Sequence, residues 1–325
     1  MGKHRYVMLT VDVEALPKRA TADHVNRLMW GKHELGTAGV KEISSIGQEF
    51  DVRHTFFVDY CGAYAQKDEI DDVVRWLDGV GEDVQLHTHP EYLPPEFWPE
   101  HGFQYRPRFL NEYVDDKAAF TLQFFSKLMH EATGKPVLGF RAGSFRWNAS
   151  TIRALKQAGI PLSFNNSMIA CNQAKYTYSE PTTFPFQWSN GVIEVPMMEK
   201  QFFPMFLDSL WGRMQYPFSN YFNKPLMRLM RPLGAGGRGN FQVMLLHSWS
   251  LLYWDENGYA TYKDDRRIEE YRQLVRKLSK DYDIITTPEF LELQQRGEFG
   301  NLRTVDLSLA ELKIAPKSPQ PIVKK

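Results

Sequence analysis

Apolar residues along the chain fall into short runs, separated by stretches in which they recur every three or four positions. Tyr6–Val13 is the first run, rich in Val, Leu and Thr, and reads as a β-strand. Further runs at 54–58, 84–87, 136–140, 161–164, 192–195, 241–246 and 282–286 read the same way. Between them lie helical patterns. Ile70, Val73, Val74 and Leu77 share one face. A helix over 112–131 carries Phe120, Phe124 and Leu128 at four-residue spacing. Asn148 is placed to cap a helix bearing Ile152 and Leu155, and Ile268, Tyr271, Leu274, Val275 and Leu278 form another stripe.

Strands alternating with helices give an α/β fold with a parallel sheet. Seven or eight such units in one chain fit a single closed or nearly closed barrel. A doubly wound open sheet is the alternative, but no Gly-x-Gly-x-x-Gly follows the first strand and no phosphate-cradling loop is present. We expect one barrel domain over 1–300. It is interrupted by an insert at about 201–240 and followed by a loosely packed C-terminal tail at 301–325 bearing Pro316, Pro319 and Pro321.

Composition narrows the function. The 325 residues carry 39 Lys and Arg against 39 Asp and Glu, a balance that argues against gripping nucleic acid through its phosphates. That zero is a sum of unlike parts. Residues 41–100 hold 14 acids against four Lys or Arg, and residues 201–240 hold five basic residues against one acid. Cys61 and Cys171 are too few for a disulfide framework or a cysteine-rich zinc module. No secretory leader pattern opens the chain and no apolar run reaches about 18 residues, so the expected compartment is the cytoplasm.

In a parallel barrel, reactive residues gather at the C-terminal ends of the strands. The first strand ends Thr10-Val11-Asp12-Val13-Glu14, and period-two geometry puts Asp12 and Glu14 on one side. The third ends His87-Thr88-His89-Pro90, which aims His87 and His89 together in the manner of zinc ligands. The fourth leads to Arg141, suited to orienting a carboxylate, and the seventh to His247. Each has a plainer reading: solvated acids, unrelated loop histidines, a rim ion pair, a satisfied core histidine. Taken together, Asp12, Glu14, His87 and His89 supply a carboxylate and two histidines with one acid to spare, and leave positions on a metal open for water and substrate.

In order along the chain, Thr10-Val-Asp-Val-Glu14, His54-Thr-Phe-Phe-Val58, His87-Thr-His-Pro90, Phe140-Arg-Ala-Gly143 and Leu246-His247 resemble the motifs of the polysaccharide deacetylase superfamily, the NodB-homology or carbohydrate esterase 4-like enzymes. The resemblance spans roughly residues 6–290. It implies a distorted (β/α)7 barrel and a divalent metal, zinc first, with cobalt, nickel or manganese as other candidates. It also implies removal of an N- or O-linked acetyl group from a sugar or glycan in the synthesis or modification of surface polysaccharide. By position, Asp12 resembles the general base, Arg141 the residue that orients it, and His247 the general acid. Two positions depart from the pattern. Val13 stands where adjacent aspartates are usual, so Glu14 falls at the ligand position. Four residues after His87 comes Glu91 rather than histidine, so either His89 or Glu91 completes the metal site, and the strand alternation favours His89.

The implied mechanism has Asp12 take a proton from the attacking water, a backbone N–H near Ala142 help stabilise the oxyanion, and His247 protonate the leaving group. Trp147, Trp249 and Tyr92 stand near the motifs and could stack on a sugar. The aromatic and basic insert at 201–240 suggests a lid, an oligomer contact, or a surface element touching the inner face of a membrane to reach a lipid-linked glycan. Two other functions remain open at this point: a catalytically inactive carbohydrate-binding barrel, and a glycoside hydrolase using Glu14 with Glu194.

Overall fold

Eight strands coincide with the eight apolar runs, and two more complete the main sheet. The computed structural model describes residues 5–103, 105–106, 108–178, 180, 184–201, 211–217, 241–311 and 320–321. Most of the aromatic and basic insert, 202–210 and 218–240, lies outside the described residues, and with it the expected lid or membrane contact. So does the tail at 312–319 and 322–325.

The strands are β1 (Tyr6–Val13), β2 (Thr55–Asp59), β3 (Asp83–Thr88), β4 (Gly139–Ala142), β5 (Leu162–Ser163), β6 (Phe186–Trp188), β7 (Ile193–Glu194), β8 (Phe241–His247), β9 (Asp283–Ile284) and β10 (Thr304–Val305). Their order is β8-β1-β2-β3-β4-β5-β7-β6-β10, with β9 joining the start of β1. Pairing is parallel from β8 through β7, and β6 runs antiparallel to β7. β1 is buried along its whole length, as a central strand covered on both faces must be. β4 begins later than its apolar run because the Gln85 Oε1 accepts the N–H groups of Leu138 (2.8 Å) and Gly139 (2.7 Å), a side chain standing in for a ladder partner.

The sheet curls into a half-barrel, and an antiparallel pair bridges the gap between its two sides. Tyr216 N–H donates to Leu245 O (2.8 Å) and Leu245 N–H to Met214 O (2.9 Å), so 214–216 extends the edge at β8. Met214 N–H reaches Met198 O (2.9 Å) and Met197 N–H reaches Asn166 O (3.0 Å), just past β5. Glu199–Gln201 and Trp211–Arg213 pair antiparallel between these ends.

The covering helices are α1 (Val40–Gln48), α2 (Lys67–Gly79), α3 (Asp115–Thr133), α4 (Ala149–Gln157), α5 (Arg266–Asp281) and α6 (Thr287–Gln295). α2 buries Ile70, Val73, Val74 and Leu77 as its spacing predicts. On α3 the core-facing positions are Ala118, Leu122, Phe125 and Met129, whereas Phe120, Phe124 and Leu128 are half-buried on its flank. Phe97 covers part of that flank, 5.3 Å from Phe124. The tail starts as an edge strand rather than loose chain: β10 pairs with β6, and Val305, Leu307 and Ala310 are buried. No helix among the described residues is long and apolar enough to cross a membrane.

Candidate metal centre and acid–base pair

Parallel pairing brings the ends of β1, β2, β3, β4 and β8 to one mouth. Glu14 lies one residue past β1, His87 on β3 and His89 just past it. The Nε2 atoms of His87 and His89 stand 3.0 and 2.9 Å from the same oxygen, Oε1 of Glu14, and all three residues are buried. The other ring nitrogens are committed. His87 Nδ1 lies 2.7 Å from the Arg141 carbonyl and His89 Nδ1 lies 2.9 Å from Glu91 Oε1. A carbonyl and a carboxylate only accept, so each Nδ1 carries a hydrogen. In neutral rings both Nε2 lone pairs then point at a carboxylate oxygen. Three acceptors converging in a buried site require a positive charge between them.

Without a bound cation, protons on the imidazoles supply that charge. Burial opposes the charged form of all three. Yet the His89 and His247 charges hold Glu14 well below the ordinary carboxylate range, and the Glu14 carboxylate holds His89 well above the ordinary imidazole value. Burial also lowers His87, but the charge of Asp12 and the Glu14 hydrogen bond outweigh it and raise the ring. The donor set of one carboxylate oxygen and two Nε2 atoms, each imidazole anchored through Nδ1, fits a divalent metal. Glu91 faces His89 from outside this group.

Asp12, Glu14 and His247 bring further atoms within 4.8 Å of one another. Asp12 Oδ1 accepts from Arg141 Nη1 at 2.5 Å, and Arg141 is fully buried. Arg141 Nη2 also donates to Thr10 Oγ1 (2.9 Å), and its guanidinium lies 4.3 Å from the Phe57 ring centroid. His247 stacks on Trp249 at 4.1 Å between centroids. Burial lowers its pKa, partly offset by the charges of Glu14 and Asp12.

Three expectations meet a different arrangement. Ala142 N–H donates to Asn165 Oδ1 at 2.6 Å, so it is not available to an oxyanion. Trp147 is 0% exposed, packed against Tyr176 (4.7 Å) and Trp188 (5.6 Å), and offers no face to a sugar. Glu194 is also 0% exposed, and its oxygens accept from Asn165 N–H, Asn166 N–H, Trp188 Nε1 and Ser163 Oγ. It therefore belongs to the packing of β5 against β7. Trp249 and Tyr92 remain partly exposed at the mouth, with the Tyr92 ring 5.8 Å from that of His89.

One residue of the site was missed in the sequence. Asp59 ends β2, fully buried, and its carboxylate accepts from the N–H groups of His89, Cys61 and Gly62, each at 2.9 Å. It pins the backbone that carries His89. The available signal was an acid directly after an apolar strand, in the position that Asp12 and Glu14 occupy on β1.

No protein-family model matches the sequence, and no curated protein is significantly similar to it. Solved structures are. A Mycobacterium smegmatis protein assigned as a polysaccharide deacetylase superposes with a TM-score of 0.54 at 16% identity, over 94% of each chain. A 4-alpha-glucanotransferase from Thermococcus litoralis superposes with a TM-score of 0.57 at 11% identity, over 95% of this chain and 42% of that one. At such identities the likeness defines the architecture: this chain has a polysaccharide deacetylase-like fold, a curled parallel half-barrel with covering helices. Which chemistry the fold serves is a matter for the residues at its mouth.

Proposed function

We propose that this chain is a metal-dependent hydrolase that removes an N- or O-linked acetyl group from a sugar or glycan. The observation that carries the reading is the convergence of Glu14, His87 and His89 beside an Asp12 held by Arg141. Glu14, His87 and His89 would hold the metal, zinc first, with cobalt, nickel or manganese as other candidates. When bound, such a cation supplies Lewis acidity and lowers the pKa of water to about 7–9. Arg141 engages Oδ1 of Asp12 and leaves Oδ2 to receive the proton of an attacking water. His247, its ring held against Trp249, delivers a proton to the departing nitrogen or oxygen, and its lowered pKa makes the protonated ring a ready donor. Trp249 and Tyr92 are the aromatic faces left for a sugar. A role in surface polysaccharide synthesis, at a cytoplasmic site that reaches a lipid-linked substrate, completes the reading.

Purified protein should carry about one divalent metal per chain and release acetate from an acetylated sugar. Unchanged metal content in a His87→Ala, His89→Ala variant would sink the ligand assignment. Full activity in Asp12→Asn would sink the base. The likeness to the glucanotransferase supports a second reading, a glycoside-acting barrel, which activity surviving a chelator would favour; the enclosed Glu194 speaks against it. Metal and sugar bound without acetate release would point to an inactive binding barrel.

A further inference from the structure

The acids at the mouth already have partners: Asp12 has Arg141, Glu14 has two histidines, and Asp59 has three N–H groups. Beside them stands a set of cations, three of which form no ion pair among the described residues. Lys18 lies in the turn Pro17–Arg19 that follows Glu14, its Nζ 5.8 Å from the centroid of the Tyr92 ring that faces His89. Arg146 follows the turn Gly143–Phe145, which runs directly against His89, and its guanidinium lies 3.9 Å over Phe109. Lys175 is half-buried, its backbone held by Asn111 Nδ2 on the carbonyl at 2.8 Å. Arg213, seated 4.4 Å over Phe145, is paired with Glu199 at 2.8 Å. Lys18, Arg146 and Lys175 form no ion pair among the described residues.

Gathering these cations, Arg146 and Lys175 half-buried and Lys18 exposed, is unfavourable to a degree that a bound anion would relieve. Burial, and then the charges of Arg146, Arg213 and Lys18, push the Lys175 ammonium down from its ordinary value. Aromatic rings beneath Arg146 and beside Lys18 hold two of the cations in place without neutralising them. A planar guanidinium beside two ammonium groups matches a phosphate or carboxylate, each with several acceptor oxygens.

We propose that the acetylated substrate is anionic, carrying a phosphate or carboxylate group that Lys18, Arg146 and Lys175 bind at the edge of the Glu14, His87 and His89 group. This rests on the deacetylase reading of that site and specifies its substrate class. Calorimetric titration compares N-acetylglucosamine 1-phosphate, N-acetylmuramic acid and neutral N-acetylglucosamine, using the Asp12→Asn protein so that binding is read without turnover. At least one charged sugar should bind about tenfold or more tightly than the neutral one, the gain expected of charge-assisted hydrogen bonds. Which of the two wins tells a phosphoester from a sugar acid.

That preference should fall toward one in Lys175→Met/Arg146→Met and persist in Lys127→Met, an exposed position on α3. Rising potassium chloride should erode it in the unsubstituted rim, a readout that needs no substitution at the rim itself. Equal affinity for the three sugars, a preference indifferent to salt, or one that survives in a folded Lys175→Met/Arg146→Met protein overturns the proposal. Failure of the native chain to release acetate from any sugar would instead count against the deacetylase reading and leave the binding preference standing.

Discussion

Replacing Arg141 with methionine removes one member of an ion pair that has no access to water. Arg141 is 0% exposed and the side chain of Asp12 is 4% exposed, joined at 2.5 Å. Losing one partner of such a pair costs about 3–5 kcal/mol, because the other charge stays buried alone. The cation over Phe57 at 4.3 Å adds about 1–2 kcal/mol in a desolvated setting. Arg141→Met should therefore destabilise by about 4–7 kcal/mol. Asp12→Asn keeps the shape and one acceptor but strands the guanidinium, at about 3 kcal/mol. With both charges gone, Asp12→Asn/Arg141→Met should lose only about 1–2 kcal/mol, since Met fills the stem volume of Arg. The pair should thus show a coupling well above about 2 kcal/mol in a double-mutant cycle, read from urea unfolding followed by tryptophan fluorescence. A double variant that costs the sum of the singles would refute the reasoning, because the two charges would then not be stabilising each other.

Burial pushes the Glu194 carboxyl up to about 7, above its ordinary value of 4.5, despite four donors on its oxygens. A carboxyl raised on folding contributes stability that is full below its ordinary value and lost as pH rises through about 7. Urea unfolding at pH 5 and pH 8 should show a difference about 3 kcal/mol larger in the native chain than in Glu194→Gln. Gly143→Ala puts a Cβ 2.6 Å from the His89 ring and from Thr88 O, so it should cost about 1–3 kcal/mol and weaken metal retention together. Glu91→Gln should lower metal affinity about 10–100-fold in competition with a chromogenic chelator, while binding stays at one ion per chain, since Glu91 acts through His89.

The grouping of side chains at the mouth was legible because a strand has a fixed period. Alternation alone put Asp12 with Glu14 and His87 with His89, and the fold keeps both pairings. What alternation does not carry is the contact made across strands. Asp59 ends a strand as plainly as Asp12 does, but its work is to accept three backbone N–H groups, two of them from its own loop and one from His89. Trp147 looked available because it follows the Arg141 motif, yet two left-handed residues, Ser144 and Phe145, turn the chain so that it packs inward against Trp188. α6 had local signals that went unread: Thr286 and Glu289 form a capping box, and Pro288 stands in the first turn. The edge strands β6 and β10 had none, since three- and two-residue strands are fixed by their partners and not by a pattern of their own.

Asp12 and His247 are register partners on adjacent parallel strands. The interval between them is therefore one rung of a ladder, about 4.8 Å at the backbone, gauged by hydrogen-bond length and not by any loop. Changes in the helical layer can tilt the turns that carry Glu91 or Tyr92 without altering that gauge. A one-residue slip of β8 would reset it, and would also turn Val243, Leu245 and His247 to the opposite face of a buried sheet. The spacing of Asp12 and His247 is thus as hard to change as the barrel itself, so diversification of this scaffold should run through its rim.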